Sequence, residues 1–175
     1  TPLYSSAASD VYKRQFKRIA GLPFIRKVDR IESPYKLMDR RSALVDHRVK
    51  VGNSEVGKNS LFVVGGPCTI DPANPNLYIE TAHALKEAGV NALRGGVWKP
   101  RTNPYSFQGD NHSLDIILKA KEETGLPIDV EVMDSKQLKL AIKAKVDVLQ
   151  VGTRNALNYS LLKEIGKLSA GTKSA

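Results

Sequence analysis

The stretch PIDVEVMDSKQLKLAIKAKVDVLQV, residues 127–151, decides the fold. Its first part, residues 127–132, is rich in β-branched side chains and predicts a strand. Ser135 stands where a helix N-cap is expected, and helical spacing then runs to about Ala144. Residues 146–151 form a second apolar run and predict another strand. A strand, a helix and a strand in so short a span predict a βαβ unit with parallel strands.

Working outward in both directions, the same alternation covers residues 61–167. Strands are predicted at residues 61–64, 91–94, 127–132 and 146–151, and helices at residues 76–88, 113–124, 135–144 and 158–167. The Leu-Phe-Val-Val run at 61–64 is typical of a parallel strand that is buried on both faces. Gly89 and Gly125 follow two of the helices, as C-terminal caps do.

The first of these helices is amphipathic. Its inward face is predicted to consist of Leu77, Ile79, Ala82, Leu85 and Ala88. Four βα units fit two α/β architectures, which the pattern alone leaves open. One is a small open, doubly wound sheet. The other is a partial TIM barrel, since a complete (β/α)8 barrel needs eight units and about 250 residues.

The segments outside this regular region differ in composition. Residues 1–15 resemble a translated sequencing adapter, with a Ser- and Ala-rich transit peptide as the alternative, and we expect a disordered arm there. Residues 16–48 are basic and weakly periodic. Val-Lys-Val at 49–51, followed by Gly-Asn, predicts a short β-hairpin. Residues 168–175 are rich in Ser, Ala, Gly and Lys and are predicted to be a disordered tail.

Charge and cysteine content limit the classes of function. The net charge is +9, but residues 1–60 hold 13 Lys/Arg against 6 Asp/Glu and the remainder holds 14 against 12. The basic excess is therefore confined to the amino-terminal part, and no nucleic-acid-binding motif accompanies it, so we predict no nucleic-acid partner. The apolar runs are too short to cross a bilayer, which predicts no membrane partner. Cys68 is the single cysteine and fits a reducing, cytoplasmic location.

Reactive side chains cluster at the predicted strand ends, where parallel α/β proteins gather them. Cys68, Arg94, Glu131 and Arg154 follow the four strands, and the long loop after the second strand adds Lys99 and Arg101. Arginine and lysine in this arrangement suit substrates that carry phosphate or carboxylate groups. The glycine pairs at 65–66 and 95–96 allow the backbone to approach a ligand closely.

Each of these residues also has a simpler interpretation. A lone cysteine after a strand is more often a small buried apolar residue than a ligand. A loop cation is usually solvated, and Glu131 has valine neighbours and fits a strand that ends in water. The pattern alone therefore predicts an α/β domain that binds a phosphorylated small molecule.

Longer strings narrow this interpretation. They are Gly-Gly-Pro-Cys-Thr at 65–69, LRGGVWKPRTNPYSFQG at 93–109, Glu-Val-Met-Asp at 131–134, LQVGTRN at 149–155 and Leu-Leu-Lys-Glu at 161–164. In order and spacing they are similar to the class I 3-deoxy-D-arabino-heptulosonate 7-phosphate (DAHP) synthases, in the β-type branch shared by many bacteria. The resemblance covers about residues 27–167, and its Lys-Pro-Arg-Thr run at 99–102 is highly specific.

The resemblance implies a fold and an activity. These enzymes are metal-dependent TIM barrels that condense phosphoenolpyruvate with erythrose 4-phosphate, the first step of the shikimate pathway to aromatic amino acids. Residues 49–167 would be the first four βα units of the barrel. Residues 16–48, with Arg-Ile at 30–31 and Pro-Tyr-Lys-Leu at 34–37, would be a remnant of the branch's regulatory domain and its linker. The full-length enzyme is expected to be a homo-oligomer.

The resemblance also implies roles for residues. Cys68 would be a ligand of a divalent metal ion such as manganese, iron, zinc or cobalt. Arg94 and Arg154 would bind phosphoenolpyruvate, assisted by the N–H of Thr153, and Lys99 would lie between the two substrates, so that Arg94 and Lys99 are the catalytic candidates. The erythrose 4-phosphate loop would comprise Lys99, Pro100, Arg101 and Thr102. Glu131 matches an acidic residue at the third strand end.

Some family features have no counterpart in this chain. The family's remaining metal ligands are a histidine, a glutamate and an aspartate from later strands, and a further substrate lysine and arginine also come from there. We therefore expect this chain, taken alone, to be an inactive fragment. Val130 replaces a usual threonine, and Thr153 replaces a usual alanine.

Two alternatives stay open. The related 3-deoxy-D-manno-octulosonate 8-phosphate synthases share the Gly-Pro-Cys motif and the barrel, but have a different loop in place of the run at 99–102. The other alternative is a non-catalytic half-barrel, either a binding protein that pairs with its own copy or a truncated product.

Overall fold

The computed structural model describes residues 14–26, 28, 47–57 and 59–169. They belong to two compact units, Thr1–Asp46 and His47–Ala175. In the first unit, residues 14–20 form helix α1, so Arg14 and Gln15 are helical although we assigned them to a disordered arm. The predictions for residues 1–13, for the family segments at 30–31 and 34–37, and for residues 170–175 lie outside the described residues.

The second unit begins with the predicted hairpin. Strands β1 (Val49–Val51) and β2 (Ser54–Val56) pair antiparallel, and Gly52 forms the turn at a φ of +56°. A side chain at Gly52 would lie 3.1 Å from the ring of Pro127. Asn91 donates to the Ser54 hydroxyl at 3.1 Å. Because Asn91 and Pro127 precede two strands of the main sheet, the hairpin lies against the amino ends of those strands.

The predicted alternation of strands and helices is confirmed. The strands are β3 (Val64–Gly65), β4 (Ala92–Arg94), β5 (Ile128–Glu131) and β6 (Val148–Gln150), and the helices are α2 (Pro75–Glu87), α3 (His112–Thr124), α4 (Ser135–Lys143) and α5 (Tyr159–Ser169), with a 3-10 turn at Thr153–Asn155. All pairings in this sheet are parallel, in the order β3-β4-β5-β6. Among the described strands the order never reverses, whereas a doubly wound sheet reverses at its switch point. None of the helices in this part of the chain is long and apolar enough to cross a membrane.

The core lies between the sheet and its helices. Ile128 and Val130 of β5 are fully buried there, against residues such as Ile117 of α3 and Leu138 of α4. Because side chains alternate along a strand, the other residues of β5 project from the opposite face of the sheet, which we call the inner face. The inner face carries the polar residues of the sheet.

Three local predictions were wrong. The first strand is only two residues long, and Leu61 and Val63 are 85% and 41% exposed, because among the described strands β3 has a neighbour on one side only. Helix α4 is capped by Asp134, whose carboxylate accepts the Gln137 N–H at 2.8 Å, and Ser135 is already its first helical residue.

The third error concerns the face of α2. Tyr78 and Ala82 are buried, whereas Leu77 is 57% exposed. The tyrosine ring takes the inward position because its hydroxyl finds a partner at the end of β4. The helix ends at Gly89 and Gly125 agree with the prediction, since both glycines have positive φ. Helix α5 continues to Ser169, past the predicted boundary.

Candidate functional site

The four parallel strands end at one edge of the sheet, which we call the carboxyl edge. Cys68 follows β3, Arg94 is the last residue of β4, and Glu131 is the last residue of β5. Thr153 and Arg154 lie in the 3-10 turn after β6. The topology therefore brings together the strand-end residues that the sequence analysis selected.

Cys68, Arg94 and Lys99 form one contact cluster. Arg94 Nη1 lies 3.9 Å from the Cys68 sulfur, and the Lys99 ammonium donates to the Cys68 backbone carbonyl. Cys68 is exposed, which is not the buried apolar environment of the simpler interpretation. Arg94 is therefore a cationic neighbour of the thiol, and Lys99 is bound to the backbone of the same residue.

A glycine makes this cluster possible. A Cβ at Gly96 would lie 2.0 Å from the Cys68 carbonyl oxygen and 2.7 Å from Lys99 Cδ. Gly96 also accepts a hydrogen bond from the Ile70 N–H at 3.1 Å, so the loops after β3 and β4 are joined directly. Only a residue without a side chain lets these loops approach so closely.

An open cleft of about 480 Å³ lies beside this cluster. It is lined by Lys99, Pro100, Arg101, Glu131, Gln150, Val151, Gly152, Thr153 and Arg154. Its volume is within the usual range for small-molecule sites, about 300–1,000 Å³. Three cations and one carboxylate line it, and this excess of positive charge suits phosphate or carboxylate groups.

The cleft includes most of the predicted substrate residues. Cys68 and Arg94 are not part of its lining, and Thr102 is exposed on the loop beyond it. Lys99 belongs both to the cleft and to the cluster around the thiol. This lysine is therefore the residue that connects the two parts of the carboxyl edge.

Sequence reasoning missed two residues that shape the acidic side of the cleft. Gln150 Nε2 donates to a carboxylate oxygen of Glu131 at 3.4 Å, across the β5–β6 pairing. A Cβ at Gly152 would lie 2.0 Å from the other oxygen of Glu131. The signal for Gln150 is positional, because it is the last residue of β6 and shares the inner face with Glu131.

Asp129 is a further residue that the sequence analysis did not select. It is the register partner of Arg94 and lies one layer below Glu131 on the inner face. Its Oδ1 is buried and has no hydrogen-bond partner within the described residues. Burial raises the pKa of the Asp129 carboxyl, the Arg94 charge lowers it, and Glu131 raises it, with a net upward shift. The alternation along β5 is the signal that could have identified it.

The loop from Lys99 to Gly109 is held by its own hydrogen bonds. The Lys99 N–H donates to the Gln108 carbonyl at 2.7 Å, and Trp98 and Gly109 form an isolated antiparallel bridge. The Gln108 side chain donates to the carbonyls of Asn103 and Ser106, both at 3.0 Å. These contacts fix the stretch that presents Pro100 and Arg101 to the cleft.

A metal site does not follow from these residues alone. Within the described ranges, no group of three or more His, Cys, Asp or Glu side chains is arranged to hold a metal ion. A single thiol does not bind a catalytic divalent ion, since such sites use three or more protein ligands. The described residues therefore do not make up a metal centre, and the assignment of Cys68 as a ligand stays a prediction.

Fold and site together define a class of protein. It is an α/β protein with a parallel sheet and a cleft, lined by three cations and one carboxylate, at the carboxyl ends of its strands. The sequence profile of the DAHP synthetase I family matches residues 42–172. This chain belongs to that family of enzymes.

Individual relatives agree with the family assignment. The phospho-2-dehydro-3-deoxyheptonate aldolase of Thermotoga maritima is 34% identical over 150 residues, which is 85% of this chain and 44% of that protein. The crystal structure of DAHP synthase from Thermotoga maritima matches with a TM-score of 0.68 at 32% identity, covering 96% of this chain and 46% of that one. The 2-dehydro-3-deoxyphosphooctonate aldolase of Albidiferax ferrireducens is 32% identical over 111 residues, 58% of this chain and 38% of that protein. This chain thus spans less than half the length of the relatives it matches.

Proposed function

We propose that this chain forms the first half of a (β/α)8 barrel that condenses phosphoenolpyruvate with erythrose 4-phosphate to give DAHP and inorganic phosphate. The proposal is supported by the family assignment and by the sequential order of the four parallel strands. The observation that carries it is the position of Lys99, which lines the cationic cleft and also contacts the loop of Cys68. A residue in that position is within reach of two substrates at once.

The cations have separate tasks in this proposal. Arg94 and Arg154 bind the phosphate and carboxylate of phosphoenolpyruvate, with the Thr153 N–H as an additional donor, and Glu131 borders the same cleft. Lys99, Pro100, Arg101 and Thr102 receive erythrose 4-phosphate. The reaction brings two phosphates and a carboxylate close together, and fixed cations at this edge lower the free energy of that arrangement.

The bond changes balance without a further reactant. The methylene carbon of phosphoenolpyruvate forms a bond to the aldehyde carbon, whose oxygen takes up a proton. Water adds to the neighbouring carbon, the bond from that carbon to the phosphate oxygen breaks to release inorganic phosphate, and the added hydroxyl loses its proton to give the keto group. Lys99 and the arginines hold the reacting groups together, which lowers the entropic part of the activation barrier relative to an encounter of two free molecules.

The half-barrel part of the proposal is supported by the edges of the sheet. β3 and β6 each have only one neighbouring strand among the described residues, and Leu61, Val63 and Val64 are exposed beside β3. Exposed apolar strand edges are normally covered by further structure. We propose that further βα units complete the barrel and supply the remaining ligands and cations, and that the complete protein is a homo-oligomer.

The octulosonate alternative has a specific observation in its favour. Five 2-dehydro-3-deoxyphosphooctonate aldolases match 51–63% of this chain at 30–33% identity. The Lys-Pro-Arg-Thr run at 99–102 favours the heptulosonate activity, because three of its members, Lys99, Pro100 and Arg101, line the cleft that would bind the aldose phosphate.

The test uses a hybrid in which this chain is continued by the carboxyl-terminal part of the Thermotoga maritima relative. Each of two aldoses, erythrose 4-phosphate and arabinose 5-phosphate, is supplied with phosphoenolpyruvate, and phosphate release is measured. We expect release with erythrose 4-phosphate only. Release with arabinose 5-phosphate only would establish the octulosonate alternative.

A second experiment measures the chain on its own, without the carboxyl-terminal part added in the hybrid. We expect no turnover, because the described residues lack the remaining site groups. Turnover of phosphoenolpyruvate that depends on erythrose 4-phosphate would contradict the half-barrel proposal. A stable dimer of the chain that binds phosphoenolpyruvate, together with an inactive hybrid, would favour the non-catalytic alternative.

A further inference from the structure

The backbone carbonyl of Arg94 lacks its expected partner in the sheet. The Gly95 N–H donates to the Asp129 carbonyl, towards β5, at 3.3 Å. Successive backbone groups of a strand point to alternate sides, so the Arg94 carbonyl points towards β3. Gly65 is in register with Leu93, and the next donor along β3 would therefore be Pro67. Proline has no N–H and cannot supply this hydrogen bond.

Tyr78 supplies the missing donor from helix α2. Its hydroxyl lies 3.0 Å from the Arg94 carbonyl oxygen, and the tyrosine is 4% exposed. Burial raises the pKa of Tyr78 well above its usual value, so the hydroxyl stays protonated and donates. A buried carbonyl without any partner would destabilise this end of the strand.

The surroundings of this oxygen leave little space for a replacement. Gly66 has a φ of +142°, and a Cβ there would lie 2.0 Å from the same oxygen. The turn that leads to Cys68 therefore passes directly against the carbonyl of Arg94. On the other side, the Gly95 N–H donates to the Asp129 carbonyl of β5, and the Gly96 carbonyl accepts the Ile70 N–H.

We propose that Tyr78 is a positioning residue for the anion site, which acts by fixing the main chain of Arg94 in place of the donor that Pro67 lacks. The inference rests on the proposed role of Arg94 in binding phosphoenolpyruvate. Without the hydroxyl, the end of β4 gains conformational freedom. The guanidinium is then no longer held 3.9 Å from the Cys68 sulfur. Binding of an anion must order the Arg94 side chain, and this entropy cost weakens the binding.

The test compares Tyr78→Phe with Thr124→Val in the isotopically labelled chain. Both replacements delete one buried hydroxyl that donates to a carbonyl, and Thr124 donates to Ala120 at 2.6 Å at the end of α3, away from the carboxyl edge. Phosphoenolpyruvate is titrated and the dissociation constant is measured by NMR, with inorganic phosphate as a second probe. We expect Tyr78→Phe to weaken phosphoenolpyruvate binding about three- to tenfold, the value of one hydrogen bond, and Thr124→Val to leave it within about twofold.

Two results would overturn the inference. One is an unchanged dissociation constant in Tyr78→Phe, and the other is an equal loss in Thr124→Val, which would indicate a general loss of stability. If the wild-type chain binds neither probe, the proposed role of Arg94 in anion binding fails for this chain, the proposed function is judged by the hybrid alone, and Tyr78 is judged by amide hydrogen exchange. Faster exchange at Gly95 and Ile70 in Tyr78→Phe, but not in Thr124→Val, supports the inference, and equal exchange contradicts it.

A measurement on the unmodified chain covers the case in which Tyr78→Phe does not fold. The Tyr78 hydroxyl proton should then be visible by NMR, exchange slowly with water and show a contact to the Gly66 α-protons. A hydroxyl proton that exchanges as fast as that of free tyrosine would refute the proposed hydrogen bond.

Discussion

The two edges of the parallel sheet differ in how their charges are balanced. At the amino edge, Asp147 accepts the Ile128 N–H at 2.9 Å and pairs with Lys121 at 2.7 Å. At the carboxyl edge, Arg101 and Arg154 have no carboxylate partner within the described residues. The amino edge satisfies its own polar groups and stabilises the fold. The carboxyl edge leaves cations available, as a site for anions requires.

The largest expected effect comes from a lysine at the carboxyl edge. In the hybrid, Lys99→Met should lower kcat/KM with erythrose 4-phosphate by about a hundred- to thousandfold, because one electrostatic contact to both substrates is lost. Lys121→Met at the amino edge should leave kcat/KM within about threefold and lower only the free energy of unfolding. The comparison between edges breaks down if both lysines reduce kcat/KM equally.

Glycines at the two edges provide the next contrast. Gly96→Ala places a methyl group 2.0 Å from the Cys68 carbonyl, whereas Gly89, with a φ of +80°, has nothing within 4 Å of an added Cβ. We expect Gly96→Ala to destabilise the chain by about 1–3 kcal/mol and to weaken phosphoenolpyruvate binding. Gly89→Ala should cost about 1 kcal/mol through backbone strain and leave binding unchanged. Urea unfolding and NMR titration give the two quantities, and normal binding by Gly96→Ala would contradict the close-approach argument.

A smaller effect is expected from the ion pair of the amino edge. Asp147→Asn removes the negative charge that pairs with Lys121 and accepts the Ile128 N–H. The side chains of Lys121 and Asp147 are each about 30% exposed. The free energy of unfolding should fall by about 1 kcal/mol, while the dissociation constant for phosphoenolpyruvate should not change. A change in that constant would mean that the two edges are coupled.

The smallest expected effect is a change in the free energy of unfolding when Asp129 is replaced, and only the sign of this change is predicted. Burial holds its folded-state pKa above the unfolded value, so its contribution to stability is present below the unfolded pKa and is lost as pH rises through the folded pKa. Asp129→Asn should therefore raise the free energy of unfolding at pH 7, and the gain should shrink as the pH approaches about 4. Asp115→Asn, at an exposed position of α3, serves as the control for the change in net charge. Destabilisation by Asp129→Asn at pH 7 would show that attraction to Arg94 outweighs the cost of burial.

Local sequence rules predicted the parts of the fold that depend on neighbours in the chain. Gly89 and Gly125 ended helices as expected, because their positive φ is a local property. The run at 61–64 was predicted as buried, but Leu61 is exposed, because β3 has a neighbouring strand on one side only among the described strands. The cap of α4 was misplaced by one residue, since Asp134 and Ser135 are both good capping types.

The candidate site shows the same division. The family strings selected Lys99, Arg101 and Arg154, which all line the cleft, and the roles assigned to them stay predictions. The sequence analysis did not select Asp129 and Gln150. Their position at the site depends on which residues of neighbouring strands are in register and which face of the sheet they occupy. Tyr78 was not predicted to face inward, because its partner is a carbonyl sixteen residues away that only the tertiary structure identifies.

The most direct test of the account is to map where phosphoenolpyruvate binds on the labelled chain. Amide and side-chain resonances are followed by NMR as phosphoenolpyruvate is added. Shifts are expected at Arg94, Lys99, Arg101, Thr153 and Arg154, and none at Asn91 or Lys121. Shifts centred on the amino edge, or scattered over exposed lysines on all helices, would contradict the claim that the carboxyl edge is an anion site.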